Sequence, residues 1–184
     1  ETRALLESGE YPCRDVDQNM ADLSAQIAAN ATGVQELQKI TAQFGLETVH
    51  AYMTHVQNNA EESVRQVLDV LHDCDFTYRL DSGDQIRVAI SVDHKARQGT
   101  IDFTGTSPQN KFNYNAPLAI CRAVVLYVFR TLVGADIPMN EGCLKPLTLV
   151  VPEGSMINPK APAAVISGNT EVSQAIADTL YGAL

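Results

Sequence analysis

Residues 100–130 read TIDFTGTSPQNKFNYNAPLAICRAVVLYVFR, and this stretch decides the fold class. Ile101 and Phe103 alternate with polar residues, which is typical of a strand with one buried face. A polar loop rich in amide side chains follows, and residues 118–133 then form the longest apolar run of the chain. A strand, a loop and a buried helix in succession predict an α+β core.

Two more alternating segments precede this stretch, at residues 76–80 and 86–92. The turn sequences DSGD and DHKARQG separate the three segments, which predicts an antiparallel three-strand meander with one wet face. Downstream, residues 147–151 and 163–167 are strand candidates. A last helix follows them, with Val172, Ile176, Leu180 and Leu184 on its apolar side. The sequence therefore predicts a C-terminal strand–helix unit after the buried helix.

Apolar residues recur every seven positions in the N-terminal region, where residues 14–73 are predicted to be helical. Gly45 predicts a turn between two such helices, and together they predict an antiparallel helical hairpin. Asn30, Thr41 and Ser63 also fall on the apolar stripes, and a buried Asn fixes the register of such a seam. The hairpin carries more apolar residues than one partner helix needs, so we expect it to pack on its own domain or on another subunit.

The organisation we expect is a helical arm at residues 14–73 and an α+β core at 74–184. The chain begins at Glu1 without a methionine and stops inside a helical pattern. We therefore expect a piece of a larger domain, truncated at both ends, whose uncovered apolar surface makes it a homo-oligomer.

Composition excludes several classes of protein. The net charge of −9 argues against nucleic acid and anionic membrane surfaces as partners. Residues 118–133 contain two arginines and are short for a membrane span of roughly 20 residues. The four cysteines form no CxxC pair, which indicates a reduced, cytoplasmic protein, and the four histidines have no metal-ligand spacing. Arg122 and Arg130 lie on the apolar helix, where structural ion pairs are the favoured explanation.

Two strand–loop–helix junctions are the places where chemistry is expected, at residues 102–117 and 165–174. A helix N-terminus exposes N–H groups that hold an anion or a developing oxyanion, although ordinary capping explains the same composition. Pro117 suits the first turn of the buried helix, with Asn115 as its N-cap. Asp102 is expected on the wet face of the sheet, and Glu171 in the first turn of the last helix. No Walker A, GxGxxG or GxSxG pattern is present.

Consecutive segments of the chain resemble the hydantoinase B/oxoprolinase family. They are TIDFTGTSPQ, NAPLAICRAVVLYVFRTLV, IPMNEGCLKPLTLVVPEGSMINPKAPAAV and GNTEVSQAIADTLYGAL. The upstream stretch from Asp22, which begins DLSAQIAANATGVQELQ, is similar to the B half of ATP-dependent 5-oxoprolinases in particular. The resemblance covers nearly the whole chain from that residue on.

The resemblance implies a hydrolase that opens a cyclic amide, either 5-oxoproline to glutamate or a hydantoin-type ring. It implies ATP, Mg and a divalent metal as cofactors of the intact enzyme, an A-half ATPase as partner, and metal ligands upstream of this chain. The chain itself is then expected to bind no cofactor or metal and to be inactive alone. Two alternatives stay open, namely an assembly module of the B half and part of a ketone-carboxylase relative.

The amide-rich loop and the SGNTEVSQ turn resemble signatures of the family, which implies that they border the substrate cavity. The candidate residues are Asp102, Asn115, Gly168, Asn169, Glu171 and Gln174. The usual family wording at the last junction is closer to AGNVETSQ, so Val and Thr are exchanged about Glu171. The roles of Thr170 and Ser173 are left open for this reason, and no residue is assigned as catalytic.

Overall fold

The computed structural model describes residues 1–9 and 11–184, which divide into two compact units, residues 1–53 and 54–184. The helices are α1 (Thr2–Glu7), α2 (Val16–Phe44), α3 (Leu46–Leu68), α4 (Leu118–Leu132) and α5 (Glu171–Ala183). The strands are β1 (Cys74–Arg79), β2 (Gln85–Asp93), β3 (Gln98–Asp102) and β4 (Leu147–Val150). Two 3-10 helices cover Glu141–Leu144 and Ile166–Asn169. The predicted α+β class is confirmed.

The first unit is helical, as predicted. α2 begins after Asp15, whose carboxylate accepts a hydrogen bond from the backbone N–H of Gln18 at 2.9 Å. The helix ends at Phe44, and the next residue, Gly45, has a φ of +82° that glycine adopts without a steric penalty. α3 begins at the next residue, so the predicted break between two helices is confirmed at Gly45.

The apolar stripe of α2 lies uncovered. We expected it to be buried in a hairpin seam, but α2 (Val16–Phe44) buries none of its residues. The expectation that this stripe packs within the chain is therefore not confirmed. Seven-residue periodicity reports which side chains need a partner, but it does not say which element supplies that partner. The division of the complete protein at residues 73 and 74 stays a prediction.

The sheet of the second unit has the order β1-β2-β3-β4. β1, β2 and β3 pair antiparallel, which confirms the predicted meander. β4 adds a fourth strand, parallel to β3, with Gly99 opposite Leu147 and Asp102 opposite Val150. A parallel pair requires a crossover connection, and residues 103–146 with α4 supply it. The loop before α4 therefore starts at the carboxyl end of β3.

One face of this sheet carries the core. The fully buried side chains of β2 and β3, together with the residue after β3, are Ile86, Val88, Ile90, Ile101 and Phe103. α5 packs on β1 and β2, and α4 packs on α5. The C-terminal half of α3 adds Ala60, Val64 and Leu68 to the same core. The sheet, α5 and α4 thus form successive layers, and α5 is the layer between the other two.

α4 is buried on one side only. Val125 and Phe129 are fully buried as predicted, whereas Tyr127 is 52% exposed. The prediction that α4 is the most buried helix is wrong, because α5 buries more of its residues. The physical reason is the layer order, since α5 is covered by the sheet on one side and by α4 on the other. No described helix is long and apolar enough to cross a membrane.

The two arginines of α4 make ion pairs with the segment that follows the helix, as predicted. Arg122 lies 3.3 Å from Glu141, and Arg130 lies 3.7 Å from Asp136. Arg130 also donates its Nε–H to the carbonyl of Ile137 at 2.7 Å. These contacts hold the connection between α4 and β4 against the helix.

The strand candidate at residues 163–167 is wrong. The backbone there is irregular and enters the 3-10 helix at Ile166–Asn169. Its hydrogen bonds go to the loop before α4, since the N–H of Ser167 donates to the carbonyl of Asn113 at 3.1 Å. The short apolar run is not buried as a strand would be, since Val165 is 38% and Ile166 76% exposed, and composition alone does not distinguish such a run from a buried strand. Of the two strands predicted before the last helix, only the first is present, as β4.

Candidate functional site

Asn115 does not cap α4, which corrects the sequence prediction. The helix begins at Leu118, and its N-cap residue is Pro117, which has no side chain able to accept a hydrogen bond. Asn115 lies two residues earlier and is fully buried. Its amide is used to close the loop, so it is not available to the helix N-terminus.

The Asn115 amide joins the two predicted junctions. Its Oδ1 accepts a hydrogen bond from the N–H of Asn110 at 2.9 Å. Its Nδ2 donates to the carbonyls of Asn110 at 3.0 Å and Phe112 at 3.1 Å, within the same loop. It also donates to the carbonyl of Ala164 at 2.9 Å, which lies just before the second junction. One buried side chain therefore fixes both loops.

Gly168 lies where the second junction touches the first. It is buried, and a Cβ placed there would lie 3.1 Å from Cα of Ala116 and 3.2 Å from the carbonyl oxygen of Asn115. Those are backbone atoms that cannot swing aside, so a larger residue would separate the two loops. Asn115 and Gly168 thus act on the neighbouring surface by positioning it, and they do not form that surface themselves.

A cleft of about 450 Å³ lies beside this contact. β1 and the turn after it form one side of the cleft, and the start of α5 forms another. The lining residues are Tyr78, Arg79, Leu80, Asp81, Ser82, Tyr114, Glu171, Gln174, Ala175 and Asp178. Two of the predicted site residues, Glu171 and Gln174, are among them. The cleft combines two phenol rings, a guanidinium group, a carboxamide and three carboxylates, which suits a small polar ligand.

The pKa of Glu171, which lines this cleft, is lowered from its ordinary value. The hydroxyl of Thr170 donates to its carboxylate, and this bond is the main reason why the pKa of Glu171 is lowered. The backbone N–H of Glu171 itself and the hydroxyl of Ser167 add to the effect. A lowered pKa means that Glu171 is a carboxylate at neutral pH, able to accept hydrogen bonds from a ligand.

A second groove, of about 390 Å³, lies between the outer sides of α4 and α5. Asn169, Ser173 and Gln174 form its polar part, and Tyr127 belongs to the side formed by α4. The turn at 168–171 thus places Asn169 in the groove and Glu171 in the cleft, while Gln174 lines both. The predicted site residues Asn169 and Glu171 therefore lie on different surfaces, the groove and the cleft.

Asp102 is separate from both surfaces. It lies on β3 between the buried residues Ile101 and Phe103, so it belongs to the open face of the sheet, as predicted. Its Oδ1 accepts a hydrogen bond from the N–H of Thr104 at 2.8 Å, which shapes the turn at the end of β3. It is not among the residues that line the cleft or the groove.

The residues that sequence analysis missed are Tyr78, Arg79 and Tyr114. Tyr78 and Arg79 end β1, and they reach the cleft because the turn at residues 80–84 lies beside α5. No local pattern marks them, since the strands fold against a helix that begins about 90 positions later in the chain. Among residues 1–9 and 11–184, no group of three or more His, Cys, Asp or Glu side chains is placed to hold a metal ion.

Comparison with known proteins gives a consistent result. The description "Hydantoinase B/oxoprolinase" belongs to the family model that matches residues 2–184. The chain is 40% identical to 5-oxoprolinase from Saccharomyces cerevisiae over 182 residues, which cover 94% of the chain and 14% of the yeast protein. It is 38% identical to 5-oxoprolinase 1 from Arabidopsis thaliana over 189 residues, which cover 92% of the chain and 15% of the plant protein.

A solved structure has the same fold. The ATP-dependent caprolactamase from Pseudomonas jessenii superposes with a TM-score of 0.75 and 20% sequence identity. The superposition covers 99% of the chain and 32% of the caprolactamase chain. The chain therefore spans about a third of this structure and about a seventh of the yeast relative.

Proposed function

The chain belongs to the hydantoinase B/oxoprolinase family, and from this we propose that it is a segment of an ATP-dependent enzyme that opens 5-oxoproline to glutamate. The observation that carries the proposal is the 40% identity to a 5-oxoprolinase over 94% of the chain. The ATPase half belongs to the complete enzyme, and we infer that ATP, magnesium and a divalent metal act in that complete enzyme and not on this chain alone. Four free thiols within the described residues support a reduced, cytoplasmic setting.

Within that enzyme, the cleft beside α5 forms one wall of the substrate cavity. The carboxylate of Glu171 accepts a hydrogen bond from the ring N–H, and the Gln174 amide contacts the ring carbonyl. Arg79 lies in the same cleft and suits the carboxylate of 5-oxoproline, because a guanidinium group binds a carboxylate through two parallel hydrogen bonds. These residues orient the ring for chemistry performed elsewhere in the enzyme.

Replacing Glu171 by glutamine in the complete enzyme tests this role. We expect kcat/KM for 5-oxoproline opening to fall at least about tenfold, because a ligand-facing carboxylate is lost. The measurement is ATP-dependent glutamate release, together with the mass of the assembled enzyme. Glu153→Gln is the matched control, since Glu153 pairs with Lys160 at 3.2 Å away from the cleft. Unchanged turnover in Glu171→Gln would argue against the cavity and in favour of an assembly module.

The chain alone is predicted to be inactive. An unstrained lactam opens only when its carbonyl is activated. The residues that line the cleft can orient a ring, but we assign none of them as a nucleophile with a base beside it. Glutamate release by the 184-residue chain with ATP, magnesium and manganese should stay at the no-protein blank. Turnover that copurifies with the chain through successive columns would mean that the reacting groups lie within it.

Bicarbonate-dependent consumption of a ketone by the complete enzyme would support the carboxylase alternative.

A further inference from the structure

Thr170 directly precedes α5, but its hydroxyl is not used to cap that helix. A threonine at this position ordinarily accepts a hydrogen bond from a backbone N–H of the first helical turn. Here the side chain of Thr170 makes no such bond. Its Oγ1 lies 3.5 Å from the carbonyl oxygen of Ser167 and donates at shorter range to the carboxylate of Glu171. The hydroxyl therefore serves the side chain of Glu171 and not the start of the helix.

The main chain fixes the place of this hydroxyl. The N–H of Thr170 donates to the carbonyl of Ser167 at 3.3 Å. The carbonyl of Thr170 accepts hydrogen bonds from the hydroxyl of Ser173 at 2.9 Å and from the N–H of Gln174 at 3.2 Å. A threonine side chain has one rotatable bond before its hydroxyl oxygen, and the branched Cβ restricts that bond to few rotamers. The position of Oγ1 is therefore set by a backbone that is itself held.

Glu171 is a side chain that needs a fixed partner. It is exposed, and a long flexible side chain loses conformational entropy when it is ordered against a ligand. A hydrogen-bond donor held by the backbone orders the carboxylate before the ligand arrives. Gln174 is held in a similar way, since its Nε2–H donates to Oδ1 of Asp178 at 2.9 Å. Both of the predicted residues in the cleft are thus ordered by neighbours in the chain.

The residues on either side of Glu171 differ in burial. Val172 is fully buried in the core, whereas Thr170 is exposed. A hydroxyl at position 172 would enter the apolar core, where it costs free energy. A hydroxyl at position 170 reaches the carboxylate instead. The roles of Thr170 and Ser173, which the sequence leaves open, are thereby distinguished: Thr170 binds the carboxylate, and Ser173 binds the backbone of Thr170.

We propose that Thr170 is a positioning residue, whose hydroxyl holds the Glu171 carboxylate ready to accept the ring N–H of a cyclic amide. The inference rests on the proposed function, in which Glu171 contacts the ring. Thr170 is not among the residues that line the cleft, so it acts through Glu171 and not on the substrate. Ser173 secures the backbone that carries the hydroxyl.

Two substitutions at Thr170 in the complete enzyme test this role. Thr170→Val keeps the branched shape but removes the hydroxyl, so kcat/KM for 5-oxoproline should fall by about three- to tenfold. Thr170→Ser keeps the hydroxyl and should restore kcat/KM to within about twofold of the wild-type value. Thr148→Val is the matched control, because Thr148 is an exposed threonine on β4, and it should leave kcat/KM unchanged.

A double substitution shows whether Thr170 acts through Glu171. Glu171→Ala removes the carboxylate, and adding Thr170→Val to it should lower kcat/KM by no more than about twofold further. An additive loss would give Thr170 a merely structural role and overturn the inference, as would wild-type turnover in Thr170→Val alone. Unchanged kcat/KM in Glu171→Ala would instead contradict the proposed function of the cleft, and the inference with it. The two failures are thus told apart by Glu171→Ala.

The pH dependence of kcat/KM gives a readout that a structural role would not move. The Thr170 hydroxyl is the main cause of the lowered pKa of Glu171, so its removal should raise that pKa. Since kcat/KM falls as pH drops through the pKa of an essential carboxylate, the fall should begin at a higher pH in Thr170→Val than in the wild type or Thr170→Ser. The other titratable residues that line the cleft stay the same in these variants, namely Tyr78, Arg79, Asp81, Tyr114 and Asp178. Coincident pH profiles for Thr170→Val and the wild type would overturn the inference.

Discussion

Replacing Gly142 by alanine should destabilise the second unit by more than about 3 kcal/mol. Gly142 lies in the 3-10 helix Glu141–Leu144, which passes directly against α3. A Cβ at this position would overlap the carbonyl oxygen of Gln57 and would lie 2.7 Å from Oδ1 of Asn140. The first atom belongs to helix backbone, and the second accepts the N–H of Gly142 at 2.8 Å. The carbonyl of Gln57 cannot move without distorting α3, and moving the Asn140 side chain would break its hydrogen bond with the N–H of Gly142.

Urea unfolding followed by circular dichroism measures this effect. Gly134→Ala provides the matched control, because a Cβ added there meets no atom within 4 Å. We expect the control to change the free energy of unfolding by less than about 0.5 kcal/mol, as for a surface substitution. If the two variants had the same midpoint, α3 and the 3-10 helix would not approach each other as described.

The parts of the fold that were predicted correctly are those in which apolar residues recur at a regular spacing along the sequence. Strands β1 to β3 alternate along the sequence, and DSGD and DHKARQG join them with short turns, so neighbours in sequence are neighbours in space. The parallel pairing of Gly99 with Leu147 was not predictable in the same way. It depends on how the chain returns after α4, across 48 positions, and no local signal encodes that return.

The site was predictable only in part, for a related reason. Glu171 and Gln174 were identified because a helix start is visible in the sequence as small and polar residues before an amphipathic pattern. Arg79 and Tyr114 were missed because the cleft exists only where the β1–β2 turn meets α5. The apolar stripe of α2 shows the opposite case, since its seven-residue spacing is plain in the sequence, while the surface that covers it is not.

Asn115→Asp is expected to have the other large effect. The substitution keeps the shape of the side chain, but it removes the N–H donors that serve the carbonyls of Asn110, Phe112 and Ala164. A carboxylate in this fully buried place would face three carbonyl oxygens with only the N–H of Asn110 to bind it. The free energy of unfolding should fall by about 3 kcal/mol at pH 8.

The pH dependence of that variant separates lost hydrogen bonds from lost packing. Burial and the facing carbonyls raise the folded-state pKa of the new carboxyl above its unfolded value of about 3.9. The folded variant favours the protonated acid. Its free energy of unfolding is therefore highest below the unfolded-state pKa and falls as pH rises through the raised folded-state pKa. The difference in free energy of unfolding between the variant and the wild-type chain should therefore become smaller as pH falls from 8 towards 4.

Asn113→Asp provides the control, because Asn113 lies two positions earlier and is exposed. Its free energy of unfolding should match that of the wild-type chain at every pH. A pH-independent loss in Asn115→Asp would attribute the effect to packing and not to the amide. The same amide holds Ala164, and through it the chain that leads to Glu171. Loss of stability in the variant should therefore be accompanied by weaker protection of amides 165–171 from hydrogen exchange than of those in β2. Equal protection of both segments would mean that the two junctions are held together by other contacts.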